Sequence, residues 1–100
     1  MVRHVILWKL KEGFSEDEKK QIRSEIKAGL EGLEGRIPGL LGITVVTEGL
    51  PSSNADLMLD SSFADAASLA TYSVHPAHVE VANGKVRPFM QSRTCMDFEA

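Results

Sequence analysis

Tyr72, His75 and His78 fall within seven residues, and Pro76 stands between the two histidines. A phenol and an imidazole are side chains that can pass a proton to and from a carbonyl compound near neutral pH. The proline decides how they can meet. Its fixed φ and missing N–H suit the first position of a helix and not its interior. The residue before it is pushed towards extended backbone. The spacing predicts a helix ending near Tyr72 or Ser73, His75 as the N-cap of a second helix, Pro76 as its first residue, and His78 in its first turn. There the positive end of the helix dipole favours a neutral imidazole. A neutral His78 beside Tyr72 would bring a base and an acid together.

Each of these residues also has a plainer explanation. His78 could hydrogen-bond a strand and simply fix the helix break, and Tyr72 could be a core residue whose hydroxyl meets the backbone. His4 shares a strand face with Ile6 and Trp8, where a histidine is ordinarily a satisfied core residue. His75 is most simply a cap. Cys95 is the lone cysteine, which excludes an internal disulfide, and its place in an apolar strand suggests an inert buried thiol. Arg93 and Asp97 alternate onto one face; a functional reading makes them an anion clamp or a gate, and the plainer one, preferred here, is an ion pair within or between subunits that sets register. His75, His78 and Asp97 do not make a zinc set, because there is no cysteine pair and no His-Glu-x-x-His. The glycine-rich stretch 35–42 follows a helix rather than opening one, so it is a connection and not a phosphate cradle. No metal site is expected.

The elements that must position these groups are legible in turn. Residues 2–10 are β-branched and apolar, a strand with His4, Ile6, Trp8 and Leu10 on one face and Val5, Leu7 and Lys9 on the other. Ser15 and Glu18 form a capping box. The helix that follows should run to about Glu34 with an apolar stripe of Ile22, Ile26, Leu30 and Leu33, closed by Gly35 and Pro38. Residues 41–48 and 55–63 read as strands, with Leu57, Leu59, Ser61 and Phe63 alternating against Asp56, Met58, Asp60 and Ser62. A short helix over 65–72 and its continuation over 76–86 precede a last strand over 92–98. That strand sets Arg93, Cys95 and Asp97 against Thr94, Met96 and Phe98. The order β-α-β-β-α-β is the α+β, ferredoxin-like pattern, a four-stranded antiparallel sheet with its helices on one face. The other face, carrying Val5, Leu7, Met58, Met96 and Phe98, has nothing left in the chain to cover it. Such a face favours a homodimer in which two sheets meet as an α/β barrel.

Bulk composition narrows the classes. The chain has 100 residues, the size of one small domain spanning 1–100. With a net charge of −3 and its 11 Lys and Arg scattered, it does not read as a nucleic-acid binder. No window approaches a membrane span, and the opening apolar run is too short for a signal peptide. A cytoplasmic address is the default expectation.

Taken together, the chain resembles the stress-responsive dimeric α/β-barrel (Dabb) family. The resemblance rests on His4 in Arg3-His4-Val5-Ile6-Leu7, on Asp56-Leu57-Met58-Leu59 leading to Phe63, on Tyr72-x-x-His75-Pro76-x-His78, and on the closing run from Ser92 to Glu99. It covers nearly the whole chain. It implies a homodimer with an apolar cavity between helices and sheet in each protomer. A ligand there, small and apolar or phenolic, is expected to meet Ile6, Trp8, Leu57, Leu59 and His75. One plant branch of the family looks like polyketide cyclases performing an intramolecular aldol step. The matching positions here are Tyr72 and His78 as acid and base, with His4 nearby. The chain departs from that branch at Leu57, where the branch has a further histidine, and around Ile22 and Arg23, where it has paired aromatics. Two functions follow: a stress-linked binding module, or a lyase of the cyclase type with His78 as base, Tyr72 as acid and His4 as orienter. Neither needs a cofactor, since positioned acid and base groups suffice. Cofactor-free monooxygenases on related dimeric barrels are a third class by fold analogy.

Overall fold

The structure, a computed structural model, describes residues 1–100. Strand β1 (Val2–Leu10) runs through the middle of the sheet, as a strand apolar on both faces should. Helix α1 (Glu16–Glu31) starts at the Ser15 cap. Glu18 N–H donates to Ser15 Oγ at 3.1 Å, and Ser15 N–H donates to the Glu18 carboxylate at 2.9 Å. The helix ends at Glu31 with Gly32 as its cap, three residues before the expected stop at Glu34. Gly29 and Gly32 lower helix propensity there. Gly35 still adopts a left-handed φ of +82°, but in the turn beyond the helix.

Strands β2 (Leu40–Val46) and β3 (Leu57–Phe63) follow, then α2 (Ala66–Val74), capped by Asp65, whose carboxylate accepts from the Ser68 N–H at 2.8 Å. Gly39 precedes β2 with a φ of +83°, and a Cβ there would stand 2.3 Å from Ser68 Oγ. Only glycine lets the chain turn this close under α2. Helix α3 (Pro76–Val81) is short. The continuous helix expected to Val86 is instead a π turn over Ala82–Val86 and a 3₁₀ turn over Arg87–Phe89. Asn83 and Gly84 are poor helix formers, and Pro88 forbids further regular helix. Strand β4 (Met90–Glu99) closes the chain.

The sheet order is β2-β3-β1-β4, all antiparallel. This is the ferredoxin-like fold. The helices cover one face, and seventeen buried apolar residues, among them Ile6, Trp8, Ile26, Leu30, Leu59 and Phe63, form the core beneath them. Helix α1 also protects the edge strand β2. Lys27 Nζ donates to the Val45 carbonyl at 2.8 Å, and the Val45 N–H donates to the Glu31 carboxylate at 2.9 Å. Lys27 Nζ also donates to the Glu31 carboxylate at 2.7 Å, and this bond first, then that from the Val45 N–H, holds the Glu31 carboxyl below its usual pKa.

The opposite face is open in the subunit. Leu7 is 42 % exposed, Met96 68 % and Phe98 44 %, while Val5 and Met58 are half-buried. Arg3 and Asp60 form an ion pair on this face, with Arg3 Nη2 2.6 Å from Asp60 Oδ2. No helix is long and apolar enough to cross a membrane.

Candidate functional site

The backbone at the helix break folds as the proline requires. His75 takes extended geometry (φ −65°, ψ 131°) and caps α3, its Nδ1 accepting from the Ala77 N–H at 3.1 Å. Pro76 opens the helix and His78 lies in its first turn. The bend brings His78 back onto Tyr72, and the two rings stack with centroids 4.1 Å apart at 35°. Tyr72 is 1 % exposed and also packs on Phe63, at 4.9 Å between centroids. His4 reaches Tyr72 edge-on at 6.2 Å from β1.

His4, Tyr72 and His78 line one cavity of about 370 Å³ between the helices and the sheet. Its apolar wall includes Ile6, Trp8, Leu59 and Val86. The volume falls within the range of small-molecule sites. Neither the Tyr72 hydroxyl nor His78 Nδ1, both buried, has a hydrogen-bond partner. Leaving such groups unpaired costs about 1–3 kcal/mol each. Burial pushes the Tyr72 phenol well above its ordinary pKa, against a smaller opposing pull from Arg93, so it stays protonated. Burial also lowers the His78 pKa. Interaction with the Ser73 backbone works against this, and the neighbouring His4, Arg87 and Arg93 add to the lowering. His78 is therefore neutral at pH 7, as expected, but burial rather than the dipole of a one-and-a-half-turn helix is the main cause.

His4 is held from its other side. Its Nδ1 hydrogen-bonds the Asp97 carboxylate, which lies opposite it in the β1–β4 register. Asp97 thus pairs with His4 and not with Arg93, correcting the expected Arg93–Asp97 ion pair. Cys95 Sγ lies 3.7 Å from His4 Nδ1 and 3.5 Å from Asp97 Oδ1. Its thiol is exposed, not buried, because β4 is an edge strand beyond the reach of the helices. Partial burial first, and then Asp97, push its pKa up, which favours the protonated thiol.

Of the residues expected to meet a ligand, Ile6, Trp8 and Leu59 border this cavity; Leu57 and His75 do not. Leu57 opens β3 opposite Trp8 and borders a separate depression of about 290 Å³ beside Leu7 and Asp56. His75 spends its ring nitrogen on the cap. Residues that were not expected at the ligand also line the cavity, notably Ala82, Met90, Arg87 and Arg93. The alternation of β4 placed Arg93 on the helix face, but only the strand order sets it beside Trp8, its partner on β1. Ala82 and Arg87 come from the π and 3₁₀ turns, which carry no clear sequence signal.

A four-stranded antiparallel sheet with a broken-helix cavity defines a ferredoxin-like α/β-barrel protomer. The model of the family described as "Stress responsive A/B Barrel Domain" (Dabb) matches residues 2–100, and the chain belongs to that family. Among solved structures, it is similar to a dimeric protein of unknown function with a ferredoxin-like fold from Bacteroides fragilis, at 27 % identity and TM-score 0.91, covering 99 % of this chain and 95 % of that one. A Dabb family protein from Mesorhizobium loti shares 21 % identity at TM-score 0.75, over 99 % of this chain and 95 % of that one. A hydroxynitrile lyase from Passiflora edulis shares 18 % identity at TM-score 0.72, over 97 % of this chain and 90 % of that one. No curated protein matches the chain.

Proposed function

We propose that this chain forms a homodimer through its open sheet face and that each protomer binds a small, mostly apolar carbonyl or phenolic compound in the cavity beneath the broken helix. The observation that carries this is a cavity with a floor of Ile6, Trp8 and Leu59 that is lined by Tyr72 and His78, whose hydroxyl and Nδ1 are buried without partners. Native proteins rarely leave such atoms unpaired. A phenolic hydroxyl that reached them would satisfy both, accepting from the Tyr72 hydroxyl and donating to His78 Nδ1, whereas a carbonyl oxygen would satisfy only Tyr72. The dimer is supported by the exposed Leu7, Met96 and Phe98 and by similar structures described as dimeric.

The test uses Trp8, the only tryptophan, as a reporter in the cavity wall. Titration with 4-butylphenol is expected to change its emission saturably. An Ala82→Phe variant, which fills the cavity, is expected to lose the response. An unchanged response in a folded Ala82→Phe protein would refute binding in this cavity.

A second reading, a cofactor-free lyase of the aldol type, is favoured by one observation. The stacked pair holds opposite protonation roles, a neutral imidazole that can take a proton and a phenol that keeps one. One similar structure is a hydroxynitrile lyase, and the likeness is one of fold alone. Deuterium exchange at the α-carbon of 2-octanone, followed by NMR, tests it. An acid–base pair should accelerate exchange about 10²–10⁴-fold, and His78→Gln should abolish this. Exchange no faster than in buffer would remove the enzymatic reading and leave the binding module.

A further inference from the structure

The cavity wall carries charge of one sign only. Arg87 and Arg93 are the charged residues that line it, and no Asp or Glu does. This is unusual in a chain with 14 acidic and 11 basic residues. Four basic side chains elsewhere pair with carboxylates, Lys19 with Glu16 among them. Arg3 pairs with Asp60, Lys27 with Glu31, and Lys85 with Glu25. Arg93 has no ion pair, although Asp97 lies four residues on along the same strand face and is spent on His4. Arg87 bonds only the neutral Asn83 Oδ1, at 2.7 Å. Both arginines are exposed and so sit at the mouth, while Ile6, Trp8 and Leu59 are buried at the floor. Arg93 stands next to Trp8 across the β1–β4 ladder, so the cationic rim and the apolar floor are contiguous.

We infer that the ligand of this cavity is an amphiphile with an oxyanion head, a carboxylate or a phosphate monoester, held by Arg93 and Arg87 at the mouth while its apolar part lies over Trp8, Ile6 and Leu59. This rests on the cavity-binding function proposed above and narrows its ligand class. Guanidinium groups match both oxyanions with paired N–H donors. A rim of two cations with no competing acid gives a ligand anion a partner that the protein itself does not supply. A neutral ligand of the same shape would leave that charge unused. Tyr72 and His78 line the same cavity, and their hydroxyl and Nδ1 have no partner in the protein.

Four probes of equal chain length test this by Trp8 fluorescence and calorimetry: octanoate, octyl phosphate, octanamide and 1-octanol. At least one anion is expected to bind about tenfold or more tightly than octanamide, with a preference that shrinks as salt rises. The better anion identifies the head group. In Arg93→Gln the ratio of anion to amide affinity should collapse towards one, and Arg93→Lys should restore part of it. Arg93 is exposed, and thermal melts of both variants check that they fold. Equal binding of anions and neutral probes to the wild type, or an anion preference untouched in Arg93→Gln, would overturn the oxyanion assignment and leave cavity binding standing. Binding of none of the four would overturn both.

Discussion

His4 and Asp97 lie directly opposite one another on β1 and β4, and the Asp97 carboxylate accepts from His4 Nδ1. His4 is 7 % exposed, whereas nearly half of the Asp97 side chain is open. One partner is therefore anchored in the cavity wall and the other faces outward. The bond fixes which edge of the His4 ring turns towards Tyr72.

Removing that carboxylate leaves a buried donor unpaired. Asp97→Ala is expected to destabilise the fold by about 1 kcal/mol, the low end for an unsatisfied buried group because water can approach from the open side. In a His4→Phe background the same change should cost much less. Urea denaturation of the four proteins in the cycle measures the coupling; additive effects would show that the bond does not matter.

Tyr72→Phe should have the opposite sign. The Tyr72 hydroxyl is buried without a partner, so its removal is expected to stabilise the ligand-free protein by about 1 kcal/mol. For a domain of this size that is roughly 4–8 °C in Tm. Calorimetry reads it. A clear loss of stability would mean that the hydroxyl has a partner in solution and is not reserved for a ligand.

Acid should act through His78. Its folded pKa lies below the ordinary 6.5 because burial disfavours the imidazolium. As pH falls through 6.5 the unfolded chain takes up this proton first, so stability drops until the folded value is passed, and it is unaffected above that window. His78→Phe should flatten this part of the profile. An identical dependence in the variant would assign it to other groups.

Glu31 links α1 to the edge of β2 through Lys27 and the Val45 N–H. Glu31→Ala is expected to cost about 1–2 kcal/mol and to speed amide exchange at Val45, since a strand-edge N–H loses its acceptor. Exchange at Val45 unchanged from wild type would contradict the strap.

The open face predicts the assembly. Light scattering at micromolar protein is expected to give twice the 10.9 kDa chain mass. A Met96→Glu, Phe98→Glu double variant should shift it towards the monomer. A wild-type monomer at that concentration would refute the dimer.

Much of this fold is written in local signals. Alternation placed His4, Ile6 and Trp8 on one face of β1, the Ser15–Glu18 box marked the start of α1, and Pro76 forced the break that stacks His78 on Tyr72. Long-range order is where the sequence was silent. Nothing local says that β4 lies at the edge beside β1, so Cys95 read as buried and Asp97 as the partner of Arg93. The same gap hid Arg93 from the cavity. His75 and Leu57 were expected at the ligand because they neighbour the right residues in sequence. The His75 ring nitrogen is committed to its cap, and Leu57, though paired with Trp8 on β1, borders the separate depression beside Leu7 and Asp56.

The most direct measurement is the ¹⁵N resonance of His78 Nδ1 in histidine-labelled protein as 4-butylphenol is added. Occupation of the cavity should shift that resonance as the nitrogen gains a hydrogen-bond donor, while Nδ1 of His75, committed to its cap, stays put. Saturable binding of the phenol with the His78 resonance unmoved would contradict a ligand site built on Tyr72 and His78.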